Sequence, residues 1–260
     1  MFHHFRLPAL IAAAFLAAPA TSGTAAEIKV LDANALTIAM KEIAADFTKE
    51  TGNQVTFVGV NPGQVEQRIK AGEMYDLVVT AAESAQAFEK EGKWRPGTLH
   101  PLARVGIGVA VREGVKVDLS TVESTRKLLL DAKTITHSDS SGAGGGLSGI
   151  NAAKVLVNLG VADAVKAKTK ISGSLADGQA LIGKGEIDLG LFNLSEIPRA
   201  PGVVRAGPVP AAVEVYINYD SAIPATNTAP EAALALVKYF QRAASKPVWD
   251  KAGLEVVGSE

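Results

Sequence analysis

The stretch VLDANALTIAMKEIAADFTKETGNQVTFVGVNPGQVEQRIKAGEMYDLVVTA, residues 30–81, decides the fold. IKVLDA (28–33) reads as a strand. Leu36, Met40, Ile43 and Phe47 then recur at helical spacing, and Gly52 ends that helix. QVTFVGV (54–60) is a second strand. VEQRIKAG follows as a short helix, with Val65 and Ile69 one turn apart and Gly72 as its stop. DLVVTAA (76–82) is a third strand. Strand and helix alternating in this way build a parallel sheet covered by helices.

The alternation continues downstream. Ser84 is placed to cap a helix running through Phe88. RVGIGVAVREG puts Val105, Ile107, Val109 and Val111 on one side of a strand. Ser120 and Glu123 have the spacing of a capping box for STVESTRKLLLDAK. TITHS (134–138), IDLGLFNL (187–194) and VEVYINYD (213–220) read as further strands. A helix opens near Ser174, and Pro230 suits the first turn of the last long helix. No repeat or flexible linker divides the chain. Two long strands flanked by turn residues, VGIGVAV and EVYINY, are the expected crossings between two lobes. The expected fold is α/β and two-lobed, each lobe a mostly parallel sheet flanked by helices, with a cleft between. Lobe 1 takes residues 27–104 and 213–260, and lobe 2 takes residues 105–212.

Upstream, residues 1–26 read as a leader rather than as fold. Arg6 gives a basic start, an apolar run extends from Leu7 to Ala18, and Thr24, Ala25 and Ala26 precede Glu27. The run is shorter than the ~20 residues that span a bilayer, so cleavage after Ala26 and export are expected. Formal net charge is −1 and unclustered, which argues against a nucleic-acid partner. The absence of Cys excludes disulfides, thiolate metal sites and cysteine nucleophiles. Two of the four His lie in the leader, leaving His100 and His137 far apart, so neither a metal site nor a cofactor is expected.

The segment SDSSGAGGGLSGI (138–150) offers almost bare backbone before a helix. It lacks the Lys of a nucleotide phosphate loop. Leu147 breaks the dinucleotide pattern, and Ile150 breaks the serine elbow around Ser148. Glycines admit close approach of a ligand, and a helix N-terminus presents free N–H groups. Ser140 and Ser141 add hydroxyl donors, so the loop suits an oxyanion or carboxylate. The alternative is an ordinary surface turn with Ser148 as N-cap.

VLDANALTIAMKEIAADFTKETG followed by QRIKAGEMYDLVVTA resembles the periplasmic molybdate-binding proteins and their relatives, the type II solute-binding proteins of ABC importers. SGAGGGLSG, KGEIDLGLFNLSEI and AALALVKYFQRAASKPVWDKAGLE extend the resemblance over nearly the whole exported chain. It implies a monomeric periplasmic protein that closes on a small-molecule anion and delivers it to permease subunits, without enzymatic activity. The resemblance also places the site at the turns after the strands. Backbone N–H groups are expected from Ala35, Gly63, Ser141, Gly142 and Leu175. Where molybdate binders carry serine, serine and tyrosine hydroxyls, this sequence has Ala35, the turn Asn61–Pro62–Gly63, and Asn193. Asn34, Asn61, Gln64 and Asn193 suit an organic solute with donors and acceptors. Asp32 either braces the first turn or accepts a hydrogen bond from such a solute. The ligand is thus a molybdate-like oxyanion or a small organic carboxylate. A sensor subunit with the same fold and an exported hydrolase are the alternative functions, the latter without a visible nucleophile–base pair.

Overall fold

The computed structural model describes residues 25–140 and 146–258. The expected leader apart from Ala25 and Ala26, and Ser141 and Gly142 of the glycine loop, lie outside the described residues. In chain order the elements begin with β1 (Glu27–Ala33), α1 (Thr37–Thr51), β2 (Gln54–Val60), α2 (Pro62–Lys70), β3 (Leu77–Ala81), α3 (Ala82–Lys90) and β4 (His100–Val105). Next come β5 (Ile107–Arg112), α4 (Val122–Asp131), β6 (Ile135–Ser138), α5 (Leu147–Asn158), α6 (Ala162–Lys166), β7 (Thr169–Ser172), α7 (Leu175–Lys184), β8 (Leu189–Asn193) and β9 (Val203–Pro208). The chain ends with β10 (Ile217–Ala222), α8 (Glu231–Gln241), α9 (Lys246–Lys251) and β11 (Glu255–Val256).

The strands form two sheets, ordered β11-β4-β10-β3-β1-β2 and β7-β6-β8-β5-β9. In the first, β1 runs parallel to β2 and β3. In the second, β6 runs parallel to β7 and β8, whereas β5 is antiparallel to β8 and β9. With β10 antiparallel to β3 and β4, and β11 to β4, each sheet is mixed rather than mostly parallel, because the strands that cross between the sheets enter against the direction of the parallel set. Helical spacing puts Met40, Ile43, Ala44 and Phe47 of α1 on one buried face, and Gly52 ends the helix at φ 79°. That left-handed conformation is inexpensive only without a Cβ. The α1 face joins Leu236 and Phe240 of α8 and Trp249 of α9 in the first core. Ile107, Val109 and Val111 of β5 form a second core with Ala152, Val155 and Leu156 of α5.

Several local expectations shift. Helix α3 starts at Ala82 rather than behind Ser84, whose hydroxyl instead donates to Glu66 at 2.6 Å. Thr121 and Ser124, not Ser120 and Glu123, form the capping box of α4; the Ser120 hydroxyl is drawn to Asp118. Pro230 stands at the N-cap of α8, and the shorter α9 follows that helix. The expected crossing strand VGIGVAV breaks at Gly106, which separates β4 from β5. The segment Val213–Tyr216 lies outside any strand, and β10 begins only at Ile217. Both breaks have one cause. A strand that leaves one sheet for another must give up its ladder where it crosses.

The crossings position everything that follows. β4 and β10 pair antiparallel, with Val105 opposite Ile217. β10 places Tyr219 opposite Ala81, at the carboxyl end of β3. β5 places Ile107 opposite Asn193, at the carboxyl end of β8. One residue, Gly106, therefore brings the carboxyl edge of the first sheet against that of the second. Leu194 donates its N–H to the Gly106 carbonyl at 3.0 Å, and Leu147 and Leu194 pack against the first core.

Candidate functional site

In open α/β sheets ligands settle at the carboxyl ends of the strands, and here two such edges meet. On the first sheet, the turn after β1 carries Asn34 and Ala35. Asn34 is exposed but donates its N–H to the Val60 carbonyl at 2.9 Å, which draws this turn against the end of β2. Asp32 lies fully buried beneath it and takes the Thr37 hydroxyl on one carboxylate oxygen, while its Oδ1 is buried without a partner. Burial pushes this carboxyl up to about 6 against the lesser opposing pull of Thr37 and Lys41. Bonded to the first residue of α1, Asp32 braces the turn.

Asn61 and Gln64 are occupied locally. The Asn61 side chain accepts the Gln64 N–H at 2.9 Å, and Gln64 Oε1 accepts the Asn61 N–H at 3.3 Å. This reciprocal cap starts α2 and leaves the Gly63 N–H in its exposed first turn.

On the second sheet, Ser140 is exposed at the end of the described part of the glycine loop. Helix α5 takes Gly146 as its N-cap, so Ser148 sits inside the first turn and is buried. A Cβ at Gly149 would run into the carbonyls of Asp139 and Ser138, so this glycine lets α5 lie directly on the strand it follows. Leu175 opens α7 behind Ser174, whose hydroxyl accepts the Asp177 N–H at 3.1 Å. The register pairs Ser138 with Ser172, which brings the loops bearing Ser140 and Leu175 side by side.

Asn193 ends β8 next to the crossing and is buried. Its N–H donates to Ser148 Oγ at 3.1 Å, fastening β8 to the start of α5. Around it lies a group that the sequence did not single out. Glu196 is buried, its carboxyl raised by burial against the weaker effects of Arg199, Asn193 and Ser148. Tyr219 of the first sheet is near enough for the Glu196 charge to add to the rise that burial causes in its phenol. Asn193 Oδ1, Glu196 Oε2, Ser195 Oγ and Ser138 Oγ are all buried without a hydrogen-bond partner. The Glu196 carboxyl is hydrogen-bonded by Asn193 and Ser148 and still keeps one buried oxygen without a partner. Acidic residues are rarely so buried, and that signal appears only once the fold is closed. Arg104 near the end of β4 is paired with Glu255 at 2.5 Å.

The Ser148 hydroxyl is therefore structural as well as local to the site. Ser148→Ala leaves the buried Asn193 N–H without an acceptor, and should destabilise the protein by about 1–3 kcal/mol. Urea denaturation of the two proteins checks this, and an unchanged midpoint would contradict it.

Residues 28–255 match the family model described as bacterial extracellular solute-binding protein. The chain is 26% identical over 266 residues to an aconitate isomerase from a Pseudomonas species, covering 98% of each protein. It is 27% identical over 241 residues to the molybdate-binding protein ModA of Azotobacter vinelandii, covering 91% of this chain and 93% of that one. The substrate-binding domain of a proposed molybdenum ABC transporter from Clostridium difficile superposes with a TM-score of 0.75 at 18% identity, covering 90% of this chain and all of the other. Two helix-flanked sheets meeting at their carboxyl edges, with a match over residues 28–255, place this chain in the bacterial extracellular solute-binding protein family.

Proposed function

We propose that this protein works in the periplasm, captures a small organic carboxylate between two lobes, and passes it to the permease of an ABC importer. The lobes are residues 27–104 with 213–260, and residues 105–212. Asn34, Ala35 and Gly63 would face the solute from the first, and Ser140, Leu175 and Asn193 from the second; Ser141 and Gly142 lie outside the described residues.

The observation that carries the choice of solute is the pair of buried, unpartnered acceptors Asn193 Oδ1 and Glu196 Oε2 beside the N-terminus of α5. A fully ionised tetrahedral oxyanion brings only acceptors, so it would leave Asn193 Oδ1 unmatched at about 1–3 kcal/mol, and Glu196 would meet it only in the protonated form. An organic acid brings carboxylate oxygens for the helix N–H groups, and a hydroxyl or retained carboxyl proton for the acceptors.

A thermal-shift series with citrate, tricarballylate, trans-aconitate, molybdate, tungstate and sulfate tests this. A ligand at 100 times its Kd stabilises by about 2.7 kcal/mol. Carboxylates should raise the melting temperature more than the inorganic oxyanions, and a response to molybdate or tungstate alone overturns the reading.

One relative supports a second reading, isomerisation of an unsaturated carboxylate. A buried carboxyl whose pKa is raised by burial, such as Glu196, holds its proton more readily than a hydrated one and is a candidate to pass it to or take it from a carbon acid. In an aconitate, a proton leaves the methylene carbon, the double bond shifts, and a proton returns to the former vinylic carbon. Proton NMR of trans-aconitate incubated with the protein in D2O follows both the cis isomer and deuterium at carbon. Turnover that Glu196→Gln abolishes supports catalysis, whereas binding without exchange supports transport alone.

A further inference from the structure

The two crossings are tied together by one side chain. Glu214 lies on the return crossing, and its Oε1 accepts two backbone N–H groups. One comes from Ile107 on the outward crossing at 2.8 Å, the other from Val215 at 2.9 Å. The bond to Ile107 joins residues 107 positions apart in sequence, at the point where the chain changes sheet. Gly106 makes room for it, since a Cβ there would stand 2.5 Å from the Glu214 carboxylate.

We infer that Glu214 latches the two crossings to each other, and that its protonation controls how freely the two lobes spread. The inference uses the lobe arrangement proposed above but not the identity of the solute.

The charged surroundings give the direction. Burial pushes the Glu214 carboxyl up to about 6, against its two backbone hydrogen bonds, and Glu255 of β11 adds to the rise. Glu255 is itself paired with Arg104 of β4, whose guanidinium stacks 4.1 Å from the Tyr216 ring centre. Tyr216 feels both Glu214 and Glu255. In the latched form, then, Glu214 holds its proton more tightly than a hydrated carboxyl. Opening the hinge hydrates the group and returns it toward its ordinary value of 4.5. The latched form binds protons more strongly, so acid favours the latch. As pH rises through about 6, the buried charge favours release. Solute held between the lobes would be released more readily in neutral than in mildly acidic surroundings.

The chain has no Cys, so two introduced cysteines can carry spin labels without background. Met74 and Val157 are 69% and 65% exposed, and lie on the first-sheet and second-sheet parts. Pulsed electron–electron resonance on the solute-free protein, frozen at pH 5 and pH 7.5, reads the distance distribution between them. Wild type should be narrow at pH 5 and broader at pH 7.5. Glu214→Gln keeps a neutral acceptor and should be narrow at both. Glu214→Ala removes the latch and should be broad at both. A wild-type distribution unchanged between the two pH values, or a Glu214→Ala distribution as narrow as wild type at pH 5, overturns the inference. Failure of every carboxylate to bind in the thermal-shift series overturns the proposed solute and leaves this result standing.

Discussion

Trp249→Ala is expected to cost about 3–5 kcal/mol of stability, the range for truncating a large buried aromatic. Trp249 is fully buried, and its indole N–H donates to the Phe240 carbonyl at 2.9 Å. Its ring meets Phe240 edge to face, with centroids 6.2 Å apart and planes at 73°. Truncation opens a void between α8 and α9 and leaves the Phe240 carbonyl without that donor. For a chain of this length the loss corresponds to a fall of roughly 10 °C in melting temperature. The effect should reach the crossings. The Lys251 carbonyl at the end of α9 accepts from Arg205 of β9 at 2.8 Å, and Arg205 also donates to the Leu194 carbonyl at 3.1 Å. The α9 segment is thus one of the places where the second-sheet part leans on the first. Calorimetry of Trp249→Ala beside Trp249→Phe, which keeps a ring, measures the loss. A cost below 1 kcal/mol for the alanine variant would contradict the packing account.

Asp32→Asn is expected to stabilise the protein at pH 8 by up to about 3 kcal/mol, and by little at pH 4. The Asp32 carboxyl is raised from 3.8 to about 6 by burial under α1. A group whose folded pKa is raised contributes stability that is full below the unfolded value and is lost as pH rises through the folded one. Asparagine cannot ionise, so it carries no such loss, and its amide oxygen can still accept the Thr37 hydroxyl. Denaturation of both proteins at pH 8 and pH 4 isolates this group, because titrations common to the two proteins cancel. Equal gain at both pH values would show that the asparagine acts through packing rather than charge.

The Asp32 carboxylate illustrates how far the site was legible in the sequence. A brace for the first turn was one of two roles its position allowed, and the Thr37 hydroxyl realises that role. Asn61 and Gln64 were readable as ligand amides or as turn formers, and the capping box uses the side-chain oxygen of each because a helix start needs acceptors there. Ser148 was readable as a cap. It instead serves a strand end 45 residues away, a demand that no local pattern announces. Glu196 and Glu214 gave no sequence signal. An acidic residue in a loop is ordinarily hydrated; Glu196 is instead buried and Glu214 half-buried, and both conditions depend on the whole fold.

The sequence by itself determined what local patterning controls. Alternating apolar periods dictated helices on parallel strands, Gly52 and Gly72 marked helix ends, and the residue pattern along 30–81 carried the family. Tertiary structure alone decided what requires distant residues to meet. Gly106 and the return through Val213–Tyr216 turn two carboxyl edges toward each other, which sets Asn193, Glu196 and Tyr219 together and lets Glu214 reach the Ile107 N–H. The physical reason is that periodicity reports which face of an element is apolar. Desolvation and hydrogen-bond pairing are properties of a place, and that place exists only when both sheets have formed.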